Sequence, residues 1–219
     1  MLIRLYGSTG RLDAARTQTE RLAEMLGANS PVPWVELGHA CELAHRYDEA
    51  LASYDRGAQV APSDPLGAKQ GGMRAARWGE LTLAEPRLEE ALRRAPGDAE
   101  AWHALGLVRV GLGKLHAARA AYTAGLAADP AALENRLGLA TVALRLDEPR
   151  AALEQYEALI QERPTYTDAW LGKSWSLIEL GELAAAEATL EQARALGADA
   201  SSIARQRGAI DVLRRKSSD

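Results

Sequence analysis

The stretch APGDAEAWHALG, residues 95–106, carries a proline six positions before a tryptophan and a small residue, Gly106, four positions after it. Residues 163–174, RPTYTDAWLGKS, repeat the arrangement with Ser174 as the small residue, and Trp102 and Trp170 lie 68 positions apart, twice 34. Outward from these stretches, the same step runs through the chain. Ala50, Ala84, Ala118, Ala152 and Ala186 follow one another at 34-residue intervals. Tyr54, Leu88, Tyr122, Tyr156 and Leu190 come four residues after each alanine, one turn along the same helix face. Pro62, Pro96, Pro130 and Pro164 keep the period, with Ala198 in the fifth place, and so do Gly38, Gly72 and Gly106. Self-similarity at this period marks stacked supersecondary units.

Composition agrees with helices. The 219 residues are 47% hydrophobic, which excludes an intrinsically disordered chain, while aromatics are only 5% and Phe is absent. Long stretches use Ala, Leu, Glu and Arg, which lose little entropy in a helix. A formal net charge of −4 provides no field that would concentrate nucleic acid or an anionic membrane surface. Apolar runs stop well short of the roughly 18 residues that a membrane span requires, and MLIRLYGSTG at residues 1–10 lacks the h-region and cleavage site of a signal peptide. The expectation is a soluble protein, cytoplasmic as the sequence stands and periplasmic if a signal has been removed.

The columns resemble the tetratricopeptide repeat, a helix-turn-helix unit with a Trp, Leu, Gly, aromatic, Ala, aromatic, Ala, Pro motif. Five copies fit, at residues 31–64, 65–98, 99–132, 133–166 and 167–200, with an N-terminal partial repeat at 1–30 and a C-terminal capping helix and tail at 201–219. The resemblance implies an all-α fold, a right-handed α-solenoid of antiparallel helix pairs. Small residues such as Gly106 and Ala118 permit close helix approach, Trp102 and Tyr122 fill the space left, and the proline ends the second helix. Trp34, Trp102 and Trp170 are expected in the core by the motif, and Trp78 by its alignment with Leu112, Leu146 and Leu180. Departures include Ala68 and Arg136 at the Trp position, Ala140 and Ser174 at the Gly position, Pro86 inside a helix and Pro149 at a helix start, where proline is favourable.

No residue pattern carries catalysis: there is no G-x-S-x-G, P-loop, H-E-x-x-H or C-x-x-C. Catalytic residues, metal ligands and cofactors are therefore expected to be none. The four histidines are expected to be hydrogen-bonded or solvent-facing, with His45 at the turn between two helices, and Cys41 to be a buried, inert thiol.

The resemblance implies that the first helices of the repeats line a concave groove. Its rows read Val35, Lys69, His103, Leu137 and Leu171; then His39, Met73, Leu107, Thr141 and Trp175; then a third containing Arg77 and Arg145. Asn is absent from these rows, so the carboxylate-clamping arrangement of the chaperone-binding subfamily is unsupported. A largely apolar wall with basic points suits another protein, offered as an extended peptide or an amphipathic helix, with Lys69 and Arg145 orienting an acidic flank and Trp175 as an anchor. The expected function is a non-enzymatic adaptor of a bacterial type, the family analogy pointing to secretion, pilus or envelope assembly. The alternatives are the regulatory arm of a larger enzyme and a self-associating structural scaffold.

Overall fold

The computed structural model describes residues 2–216; residue 1 and the tail 217–219 lie outside the described residues. Among the described residues there are thirteen helices and no strand, so the all-α expectation holds. Backbone contacts divide the chain into two compact units meeting between Lys114 and Leu115.

The first unit contains α1 (Leu2–Ser8), α2 (Leu12–Leu26), α3 (Val32–Leu43), α4 (Tyr47–Val60), α5 (Leu66–Arg77), α6 (Leu81–Arg94) and α7 (Ala99–Gly111). Each helix packs on the next, and α1, α3, α5 and α7 also touch in succession. Among the described residues the backbones of α2, α4 and α6 make no such successive contact. Long side chains bridge them instead: Arg16 on α2 reaches Glu49 on α4 at 2.5 Å, and Arg87 on α6 grips Asp55 on α4 through two hydrogen bonds of 2.8 and 2.6 Å. Closer spacing of the odd-numbered helices makes them the inner layer of this unit.

The second unit contains α8 (Leu115–Ala128), α9 (Leu133–Arg145), α10 (Pro149–Glu162), α11 (Thr167–Glu179), α12 (Leu183–Ala195) and α13 (Ala200–Lys216). Here α9, α11 and α13 touch in succession. One core cluster joins α9, α10 and α11 around Ala140, Ala152, Tyr156 and Leu159. A second joins α11, α12 and α13 around Ile178, Leu190, Ile203 and Ile210.

Local chemistry sets these boundaries. Pro62, Pro96, Pro130 and Pro164 each stand two residues past the last residue of α4, α6, α8 and α10, where a helix is prevented from continuing. Pro149 occupies the first turn of α10, and α6 runs continuously through Pro86. The turns within pairs place His45, Gly79, Gly113, Asp147 and Gly181, one period apart, in the left-handed region, with φ of 58°, 84°, 74°, 60° and 79°. Glycine enters that region without steric cost; His and Asp are tolerated there.

The alanine column is fully buried, Ala50, Ala84, Ala118, Ala152 and Ala186 each being 0% exposed. The aromatic column presses on glycines: a Cβ on Gly38 would lie 2.5 Å from the Tyr54 ring, and one on Gly172 would lie 2.2 Å from Tyr156. Ser174, in place of a glycine, is buried and donates to the Ala186 carbonyl at 3.0 Å.

Three expectations about large side chains need correction. Trp34, Trp102 and Trp170 are half-buried rather than core residues. Their outer edges are used: the Trp102 and Trp170 indole nitrogens donate to the carbonyls of Pro96 and Pro164 at 2.8 and 2.7 Å, and the Arg56 guanidinium lies over the Trp34 ring. Trp78 is also half-buried, its ring set against the exposed Tyr47. His39 is not solvent-facing, and neither of its buried ring nitrogens has a hydrogen bond of good geometry, although the Gln70 side chain bears on the ring; the ring meets Tyr54 edge-on at 5.6 Å. Burial, aided by Arg4 and Arg74, lowers its pKa and favours the neutral imidazole. Cys41 is buried as expected, and burial pushes its thiol pKa up.

Candidate functional site

The residues expected to line a groove all lie on odd-numbered helices, but they do not share one environment. In the first unit, Val35 on α3 is 5% exposed and belongs to the core, and His39 is held against Tyr54. Lys69 on α5 sends its ammonium to Asp98 and Glu100, both at 2.7 Å. Burial pulls its pKa down, and the two carboxylates outweigh that and leave it raised. Asp98 also accepts from the Ala101 amide at 3.0 Å, capping α7, so Lys69 ties α5 to the start of α7. Its charge is spent on the fold.

Met73, Arg77, His103 and Leu107 come together. They line a hollow of about 490 Å³ between α5 and α7 together with Ala76, Leu81, Ala104, Val108 and the Glu100 carboxylate that Lys69 engages. Helical spacing explains the grouping: Met73 and Arg77 are one turn apart on α5, as are His103 and Leu107 on α7. Leu105 and Val108 turn inward, each 1% exposed, which leaves Leu107 outward at 53%. Arg77 is exposed at the rim, and among the described residues no carboxylate pairs with it. The hollow therefore offers apolar side chains beside the Arg77 cation, with Glu100 in its lining already engaged by Lys69.

The second unit treats its share differently. Leu137 packs on the cluster of α9, α10 and α11. The Thr141 hydroxyl donates to the Leu137 carbonyl at 2.9 Å and lies 3.3 Å from the Tyr156 hydroxyl. Arg145 is exposed. Leu171 and Trp175 pack on the cluster that includes α13, and Gln206 of α13 donates to the Leu171 carbonyl at 3.0 Å. Trp175 lines a separate hollow of about 680 Å³ with Leu183, Val212 and Leu213. The participation of α13 was not legible in the repeat columns, because that helix follows the last repeat; the apolar face carrying Ile203, Ile210 and Leu213 was its only signal.

Among the described residues, no three His, Cys, Asp or Glu side chains are grouped as a metal site, and no helix is long and apolar enough to cross a membrane.

Comparison with known proteins extends the sequence reading. Two sequence profiles described as tetratricopeptide repeat match, one at residues 143–208 and the other at 71–132 and 103–149, so that together they cover more than half of the chain. No curated protein matches the chain significantly in sequence. Among solved structures, the chain is similar to YrrB, described as a TPR protein with an unusual peptide-binding site (TM-score 0.73, 17% identity, covering 87% of this chain and 97% of that one). It is also similar to MamA (TM-score 0.70, 19% identity, 76% of this chain and 91% of that one). A third likeness is to a tetratricopeptide repeat protein from Parabacteroides merdae (TM-score 0.69, 19% identity, 96% and 83%). With its 34-residue columns, its stacked helix pairs and these matches, the chain belongs to the tetratricopeptide repeat family.

Proposed function

We propose that the chain is a non-catalytic scaffold that binds another protein, seating a peptide or amphipathic helix over the hollow between α5 and α7. On this reading residues 31–200 are five repeats, preceded by a partial repeat and followed by a capping helix. The observation that carries it is Leu107, 53% exposed on the inner layer beside Met73, with the unpaired Arg77 at the rim. An exposed leucine over a concave apolar floor gains by being covered, by about 25 cal/mol for each Å² removed from water. Arg77 then selects an acidic residue next to the ligand's apolar anchor. The peptide-binding site named for the similar YrrB structure supports a peptide ligand as a class.

Capture of partners from the source cell by the intact protein, compared with Leu107→Glu, tests the reading. Loss of specific partners with an unchanged melting curve is expected. An identical set of partners from both proteins overturns it.

A second reading, self-association, is favoured by one observation: Leu2, Leu5, Met25 and Leu26 are 46%, 57%, 82% and 51% exposed on α1 and α2. Light scattering over a concentration series separates it from a monomeric binder.

A further inference from the structure

Three departures from the repeat pattern meet at one place away from the inner layer. Tyr47 stands where later repeats have Leu81, Leu115, Pro149 and Leu183; Trp78 stands where they have Leu112, Leu146 and Leu180; His45 stands where three of them have glycine. In the structure all three line a cleft of about 680 Å³ at the turns joining α3 to α4 and α5 to α6. The Tyr47 and Trp78 rings lie 4.7 Å apart, tilted by 47°, and His45 Nδ1 is 3.2 Å from the Tyr47 hydroxyl. His45 accepts the left-handed conformation, φ 58°, to stand there.

The charges at the cleft are unequal. Asp48, Glu49 and Glu80 line it, against Arg46. Glu49 is already engaged by both Arg46 and Arg16. Asp48 and Glu80 have no ion-pair partner among the described residues. The N-termini of α4 and α6 open here with partial positive charge, and two whole carboxylate charges exceed it. The two rings pack on each other and the His45 ring meets Tyr47 edge-on at 6.2 Å, but among the described residues no cation covers the pair. Elsewhere in this unit Tyr6 and Trp34 lie beneath the guanidinium groups of Arg11 and Arg56, at 4.8 and 5.5 Å from the ring centroids. Among the described residues no cation of the chain lies over Tyr47 or Trp78.

We propose that the Tyr47–Trp78 cleft takes an arginine side chain presented by a protein partner. A guanidinium is flat enough to stack on the rings and carries the N–H donors that Asp48 and Glu80 lack; it is also weakly hydrated, so little is lost on leaving water. The site lies on the turn edge of the first unit and is independent of the hollow between α5 and α7.

The test is an NMR titration of the full chain with the peptide acetyl-Gly-Arg-Gly-amide and with its citrulline counterpart, a nearly isosteric neutral control. The arginine peptide is expected to shift the Trp78 indole and the Tyr47 and Glu80 amides saturably, and the citrulline peptide to leave them in place. Trp78→Leu installs the side chain of the later repeats and is expected to weaken binding by roughly fivefold or more while keeping the fold. Glu80→Gln provides a second variant that leaves both rings intact and is expected to weaken binding in the same direction. Equal shifts from both peptides, no saturable shift from the arginine peptide, or an unchanged affinity in both variants overturns the proposal. Choline as a further probe distinguishes the sources: saturation by choline but not by arginine assigns the cleft to a free quaternary amine and overturns the arginine reading.

Discussion

The indole nitrogen of Trp102 donates to the carbonyl oxygen of Pro96, six residues back, at 2.8 Å. The same bond recurs between Trp170 and Pro164 at 2.7 Å, and where Arg136 replaces tryptophan its guanidinium donates to Pro130 at 2.9 Å. Proline stops the preceding helix, and its own carbonyl then has no partner in that helix. A donor on the first turns of the next helix supplies one. The spacing of Pro and Trp is thus a stitch across the turn between repeats.

Trp170→Phe deletes the donor and trims the fused indole to a single phenyl ring. The expected cost is about 1–3 kcal/mol, about 1 of it the net worth of one hydrogen bond at a partly exposed site and the rest lost packing. Thermal or urea unfolding measures it, and a Phe variant as stable as the parent excludes a contribution from the stitch.

At the turn preceding α5 the tryptophan is missing, because Ala68 takes its position. Arg94, on α6, substitutes from outside the turn: one of its nitrogens reaches the carbonyls of Ala58, Ala61 and Asp64 at 3.1, 3.3 and 2.9 Å. Arg94→Met is expected to destabilise by about 1–3 kcal/mol, since it takes the donor from the Ala58 and Asp64 carbonyls and breaks the pair with Glu90; the Ala61 carbonyl keeps the Asp64 amide. The exposed neighbour Arg93→Met is expected to stay within about 0.5 kcal/mol of the parent. Equal urea midpoints for the two variants contradict this assignment.

Stability should depend on pH through Arg4 and Glu36, which make two hydrogen bonds of 2.7 Å between α1 and α3. Those bonds hold the Glu36 carboxyl below its ordinary value of 4.5. The unfolded chain therefore binds this proton first. The stabilisation is complete above about pH 4.5 and is lost as the pH falls through the lower folded value. Arg4→Met should flatten the loss of melting temperature below that pH while changing it little at neutrality, the pair being partly exposed. An unchanged acid slope in the variant rules the linkage out.

Removal of residues 201–216 strips α13 from the cluster that it completes with Ile178 and Leu190. Asp199, which caps that helix by accepting from Ser201 and Ser202, has its carboxyl held down at about 2. The shortened chain is expected to melt earlier and to associate, because an apolar face of the last helix pair becomes exposed. Calorimetry and light scattering check both effects; a monomer of unchanged stability excludes a capping role for α13.

What the sequence by itself determined is what repeats locally. The alanine and aromatic columns, the prolines two residues past α4, α6, α8 and α10, and the glycines at the left-handed turns depend on neighbours within a helix pair, so a 34-residue period displays them. What only the tertiary structure decided is how side chains are used between pairs. Lys69 reads as a free groove cation until Asp98 and Glu100, more than 28 positions away, are seen to neutralise it. Trp78 reads as core until Tyr47 is found against it in the open. The four residues around the hollow between α5 and α7 were legible as inner-helix positions, but the placing of Val35 in the core and of His39 against Tyr54 was not. A long polar or aromatic side chain reaches whichever partner the stacking of helices brings within a few ångströms, and that distance is set by packing rather than by any periodicity along the chain.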